Sequence, residues 1–198
     1  MKKGRLDAPD ELRPEYDLKS LVVRRLGSGR KSFSDSGVRS DLQALLLEFF
    51  LTFSRFEFAL KNSGFYVKRG KTSVPYEASP DWDSFAQRLK DVFDTNATPR
   101  LRDACDRLLD NPPAREVIGG GGLGWDTTAE NDSLSDIERL LRYVRRIRNN
   151  LFHGAKFSTL PGLETERNVT LLEDSLIILS ECLRLTDDVR QTYESAAL

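Results

Sequence analysis

The chain has 198 residues, 39% of them hydrophobic and 31% charged, a composition that suits one lean globular domain with extensions, or two small ones, and is far from a disordered one. Lys+Arg 30 against Asp+Glu 31 leaves a formal net charge of -1, so a uniformly basic polyanion binder is excluded and any nucleic-acid contact must come from a local patch. Two cysteines, Cys105 and Cys182, and a single histidine exclude a disulfide scaffold and a histidine-rich metal site.

Residues 1–36 are polar and punctuated by Pro9, Pro14 and GSGRKSFSDS, which reads as an N-terminal extension preceding a helical domain over 37–198. Through residue 40 the sequence counts 10 Lys/Arg against 6 acids, a mild basic excess suited to a solvated arm. The opening MKKGRLDAPDELRPEYD has no apolar h-region, so no secretory leader is expected. From Val38 to Asn62 an apolar run without Pro or Gly predicts a helix, stopped by Ser63-Gly64. At about 100° per residue, Asp41, Glu48, Thr52 and Arg55 form one narrow stripe and Gln43, Ser54, Glu57 and Lys61 an opposite one, so this helix is expected to be covered on two sides. Glu48, Arg55 and Glu57 also interrupt its greasiest stretch, which argues against a membrane span. The expectation is a soluble protein of a reducing compartment, the cytoplasm.

Residues 65–80 read as irregular, with YVKRGKTSVPY a hairpin candidate, and Ser79-Pro80-Asp81 as a cap, an N1 proline and a first-turn acid opening a helix to about Phe93. Thr98-Pro99 repeats that start for a helix to about Leu109, and residues 110–132 read as a long loop around Pro112-Pro113 and GGGGLG. Ser133-Leu134-Ser135-Asp136 resembles a capping box before a strongly periodic helix, and Thr170-Leu171-Leu172-Glu173 is expected to open the last one, toward Tyr193. The expected fold is all-α, with about five helices and almost no strand. Gly119, Gly121 and Gly124 match G-x-G-x-x-G, but without a preceding strand and following helix they read as a flexible loop. Gly27-Ser28-Gly29-Arg30-Lys31-Ser32 lacks the order that cradles phosphate. No cofactor is expected.

Most chemistry collects in Asp136 to Phe157, DIERLLRYVRRIRNNLFHGAKF. On a helical wheel Ile137, Leu140, Leu141, Val144, Ile147 and Leu151 share one face with Arg148, whereas Arg139, Arg142, Arg145 and Arg146 lie on the other side. An arginine in an apolar stripe needs a paired acid or an internal polar cavity. Residues 137–156 carry 6 Lys/Arg against 1 acid, the chain's most concentrated positive field. His153, the only histidine, is followed by Gly154, which also suits an ordinary helix stop.

The RNNLFHG segment, with an inward arginine, an adjoining Asn, an apolar pair and a His-Gly stop, resembles the HEPN superfamily of helical-bundle proteins. That resemblance is strongest over 133–157, and the SRFEFAL segment from Ser54 to Leu60 is similar to a core helix of the superfamily. It implies a metal-independent ribonuclease of toxin or defence type, acting as a homodimer on RNA, with an antitoxin or other regulatory protein as a possible partner. Carried over by position, it implies Arg148, Asn149 and His153 as active-site residues, and an accompanying acid on an earlier helix, for which Glu57 is the candidate and Glu48 the alternative. Glu57 also has a plain reading, as half of a surface Glu57/Lys61 pair.

Metal-free RNA cleavage needs a base for the 2′-hydroxyl proton, a cation for the phosphorane and an acid for the leaving 5′-oxygen. One histidine does not suit both proton transfers, and a two-fold axis would supply a second copy of His153. Arg148 is the candidate phosphate ligand, and Asn149 is the candidate to orient the phosphate or the imidazole by hydrogen bonding. Arg142, Arg145, Arg146 and Lys156 are candidates to draw in the RNA backbone, or form a solvated basic face. The competing class is a catalytically silent helical binding module for a protein, nucleotide or RNA.

Overall fold

The computed structural model describes residues 36–69, 77–119, 122–152 and 163–196. The chain divides into Met1–Ser36 and Gly37–Leu198, and the architecture below is that of the second unit. Six helices and two short antiparallel hairpins are present among the described residues. The fold is therefore mostly helical, with six described helices against the expected five or so, and the two small sheets correct the all-α expectation.

Helix α1 spans Ser36–Asn62. Gly64 takes a positive φ of 89°, and the Phe65 amide donates back to the Leu60 carbonyl at 2.9 Å; only glycine adopts that turn without strain, so the helix stops where Ser63-Gly64 predicts. Phe65 turns the chain into β1 (Tyr66–Arg69), which pairs with β2 (Glu77–Pro80) in the register Tyr66↔Pro80 to Arg69↔Glu77. Pro80 thus ends a strand instead of starting a helix. It has no N–H to give, a small loss at a strand end. The cap is Asp81, whose carboxylate accepts from the Ser84 amide at 3.0 Å and the Ser84 hydroxyl at 2.7 Å. These bonds hold the Asp81 carboxyl below the usual carboxylate range. Helix α2 (Trp82–Leu89) is shorter than expected; beyond its end, Phe93 donates its amide to the Leu89 carbonyl at 2.9 Å and packs against the core.

Helix α3 (Pro99–Asp110) begins as predicted, with Thr98 accepting from the Leu101 amide and Pro99 in the first turn. It buries Leu101, Ala104, Cys105 and Leu108, one helical face. The segment expected as a loop contains a second hairpin, β3 (Arg115–Gly119) with β4 (Gly122–Asp126). Gly119 pairs with Gly122 at one end of this ladder, and Arg115 and Asp126, facing at the other, form an ion pair at 2.6 Å. Ile118, Leu123 and Trp125 are left exposed on this hairpin.

Helix α4 (Asp136–Phe152) starts two residues later than a cap at Ser133 suggests. Glu138 reaches back to the Ser135 amide at 2.8 Å and accepts from its hydroxyl at 2.6 Å. Helix α5 (Leu163–Leu185) already contains Thr170 in its interior, hydroxyl bonded to the Glu166 carbonyl, so Thr170 does not open it. The chain breaks at Thr186, whose hydroxyl turns back to the Cys182 carbonyl at 2.7 Å, and resumes as α6 (Asp187–Ser195) with two acids in the first turn.

The core is aromatic where α1 meets α2. Phe56 and Trp82 stack nearly parallel at 5.3 Å, and Phe85 meets Phe56 edge-on at 5.5 Å. Ile137, Leu140, Leu141, Val144 and Ile147 of α4 complete it with Leu172, Ile178 and Leu179 of α5. Cys105 and Cys182 are buried free thiols; burial pushes Cys105 up to about 12 and raises Cys182 as well, so both pack as apolar groups. No described helix is long and apolar enough to cross a membrane.

Candidate functional site

Arg148 and Asn149 sit in the last described turn of α4. Arg148 is half-buried, donates to the Asn149 side-chain oxygen at 3.1 Å and lies over the Phe53 ring at 5.5 Å. The wheel puts this arginine on the apolar face, where it needs a paired acid or a polar cavity. Such a cavity, of about 440 Å³, lies beside it. Its charged lining is Glu57 and Lys61 from α1, Glu77 from β2, and Arg145 and Arg148 from α4, with Phe53 and Trp82 as its aromatic wall.

The cavity chooses between the two candidate acids. Glu57 lines it together with Arg148 and Asn149, whereas Glu48 opens into a separate groove of about 430 Å³ with Arg100, Leu176 and Ile177. The surface-pair reading of Glu57 fails as well. Among the described residues its carboxylate accepts from the Trp82 indole Nε1 at 3.3 Å, and no Glu57/Lys61 ion pair forms.

A neighbouring cleft of about 560 Å³ holds Arg142, Arg145 and Arg146. Arg145 and Asn149 line both cavities. The positive field is largely answered here: Arg142 pairs with Glu130 at 3.4 Å and Asp83 at 3.8 Å, and Arg145 with Asp83 at 3.8 Å. Arg146 is only 8% exposed, paired with Glu130 and donating to the Pro113 carbonyl at 2.9 Å. Its expected place on a solvated RNA-facing side is corrected, because Pro113, Ala114 and Glu130 bond to Arg146, Asn150 and Tyr143, and those three side chains are buried. His153 and Lys156 lie outside the described residues.

Sequence reasoning missed Lys61, Glu77 and Trp82 as cavity residues. Lys61 carried a weak signal, one turn from Glu57; Glu77 had none, since its place depends on the pairing of β1 with β2. No group of three or more His, Cys, Asp or Glu among the described residues is placed to hold a metal ion. Chemically, the cavity offers a carboxylate, guanidinium groups and an amide facing one solvent-reachable space, a set suited to proton transfer beside a bound anion. The chain matches no protein-family model, no curated protein and no solved structure.

Proposed function

We propose that the chain is a metal-independent RNA endonuclease of HEPN type, working in the cytoplasm as a toxin or defence effector, and that the Glu57/Arg148/Asn149 cavity is its active site. The observation that carries this reading is the convergence of Glu57 with Arg148 and Asn149 on one polar cavity, with Arg148 five residues before the only histidine of the sequence. Arg148 holds the scissile phosphate as a forked donor and neutralises the phosphorane. Asn149 orients that guanidinium, and His153 supplies a proton-transfer group suited to neutral pH. The products are a 2′,3′-cyclic phosphate and a 5′-hydroxyl. In the homodimer that belongs to this reading, a second copy of His153 is one source of the other proton transfer.

A silent binding module is the second reading, and the pairing of Arg142, Arg145 and Arg146 with Asp83 and Glu130 favours it, since paired guanidiniums attract RNA less than open ones. Cleavage in EDTA separates the two. The nuclease reading expects wild-type cleavage, reduced by about a hundredfold or more in folded Arg148→Ala and His153→Ala. Cleavage that survives both substitutions moves the site elsewhere, and a folded wild type inert on several RNA classes leaves the binding module.

A further inference from the structure

The chain holds two tryptophans, and the fold treats them oppositely. Trp82 is 3% exposed and stacked on Phe53 and Phe56, whereas Trp125 is 46% exposed on the β3–β4 hairpin. The ladder pairs Ile118 with Leu123 and Glu116 with Trp125. Directly opposed residues share a face, so these side chains stand together on one side of the hairpin. All of them are exposed, Ile118 by 84% and Leu123 by 73%, whereas Val117, Gly124 and Asp126 on the other side are partly covered. An indole and two aliphatic side chains held side by side in water gain nothing for the fold, and mark a face that a ligand covers.

The neighbouring cleft says which ligand. Arg115 and Glu116 of β3 line it together with Arg142, Arg145 and Asn149, and Arg145 and Asn149 line the Arg148 cavity as well. Cations therefore lead from Arg148 through Arg145 and Arg142 to the strand that carries the exposed face. Arg142 and Arg145 are 38% and 39% exposed and share Asp83 at 3.8 Å, itself 72% exposed, in loose pairs that a phosphate replaces at little cost. Glu116, opposite Trp125, repels phosphate, so a strand entering here lays its backbone over the arginines and turns its bases to the indole. Guanidiniums beside an exposed aromatic are the combination that holds single-stranded nucleic acid. A duplex keeps its bases stacked on one another and offers none to Trp125.

We propose that the outer face of the β3–β4 hairpin is a base-stacking platform, with Trp125 as the stacking residue and Ile118 and Leu123 as its apolar flank. It takes unpaired bases of an RNA strand whose backbone crosses Arg142 and Arg145 to reach the Arg148 cavity. The inference rests on the RNA reading of that cavity, and adds to it a binding site outside the cavity and a selection for unpaired strand.

The test is binding of the full chain to a short single-stranded oligoribonucleotide, fluorescently end-labelled and 2′-O-methylated so that no 2′-hydroxyl is there to attack. Wild type is expected to bind it with quenching of the indole emission, and to bind the same sequence as a duplex more weakly by about tenfold or more. Trp125→Leu keeps an apolar side chain but removes the π-face. Checked for folding, it is expected to lose the quenching and about tenfold in affinity, whereas Trp125→Phe keeps most of the affinity. Wild-type affinity in Trp125→Leu, or a wild type that binds no strand, overturns the platform; cleavage in EDTA by that same wild type then leaves the nuclease reading standing. Quenching by the uncleavable strand in a chain that cuts no RNA upholds the platform and removes the nuclease reading alone. Strand binding indifferent to Trp125→Leu, together with self-association that Trp125→Glu abolishes, overturns the platform and assigns the face to a second copy of the chain.

Discussion

Glu138 shows how a single side chain fixes an element boundary. The pattern of a serine three residues before an acid occurs twice in overlap, at Ser133/Asp136 and Ser135/Glu138. Sequence alone does not choose between them. Glu has the reach to return to the cap amide, and Ser135/Glu138 is the pair that forms. The bonds from the Ser135 hydroxyl and amide hold the Glu138 carboxyl below its usual range. A carboxylate with a lowered folded value contributes stability that is present above its unfolded value, about 4.3, and is lost as pH falls through the folded one. Glu138→Gln is expected to cost about 1 kcal/mol in urea unfolding at pH 7, with the gap from wild type closing below about pH 4. A gap independent of pH would assign the cost to packing instead. The same scale explains why Glu57 was legible as a candidate but not as a decision: its spacing to Lys61 suits a surface pair equally well, and only the position of the Trp82 indole separates the two readings.

Helices with a strong period or a definite cap were legible, and the short strands were not. Thr98-Pro99 and Ser63-Gly64 carry their conformational reasons in their own chemistry. The β3–β4 hairpin does not, because a run of glycines is as compatible with an open loop as with a tight reversal, and its strands pack few side chains into the core. Long-range pairs between elements were equally hidden. Arg107 of α3 grips Asp174 of α5 through two bonds, at 3.0 and 2.5 Å, and the Asp174 side chain is only 1% exposed. Arg107→Met leaves that carboxylate buried without its counterion and is expected to cost about 2 to 3 kcal/mol. Asp174→Leu in the same chain is expected to recover much of the loss, measured by thermal unfolding of the single and double variants. A double variant no better than the single one would show that the pair acts through its geometry and not through the stranded charge.

At the scale of the molecule, the aromatic core and the candidate site share Phe53 and Trp82, so α1 and α2 carry both. Phe56 is fully buried between Trp82 and Phe85. Phe56→Ala is expected to destabilise by about 3 to 5 kcal/mol, and to disturb the Trp82 indole that bonds Glu57. Part of the site followed from the chain's local chemistry, since an arginine on an apolar face calls for a paired acid or a polar cavity, whereas Glu57 and Asn149 were named through the family resemblance. The rest depended on tertiary placement, namely Glu77 on a hairpin, and Glu130 and Pro113 closing over Arg146. The central claim is that the Arg148 cavity cleaves RNA without a metal, and the most direct measurement is end-group analysis of RNA incubated in EDTA with wild type and with folded Arg148→Ala. The account predicts 2′,3′-cyclic phosphate and 5′-hydroxyl ends from wild type and intact RNA from the variant. Intact RNA from both, or 3′-hydroxyl ends from wild type, would contradict it.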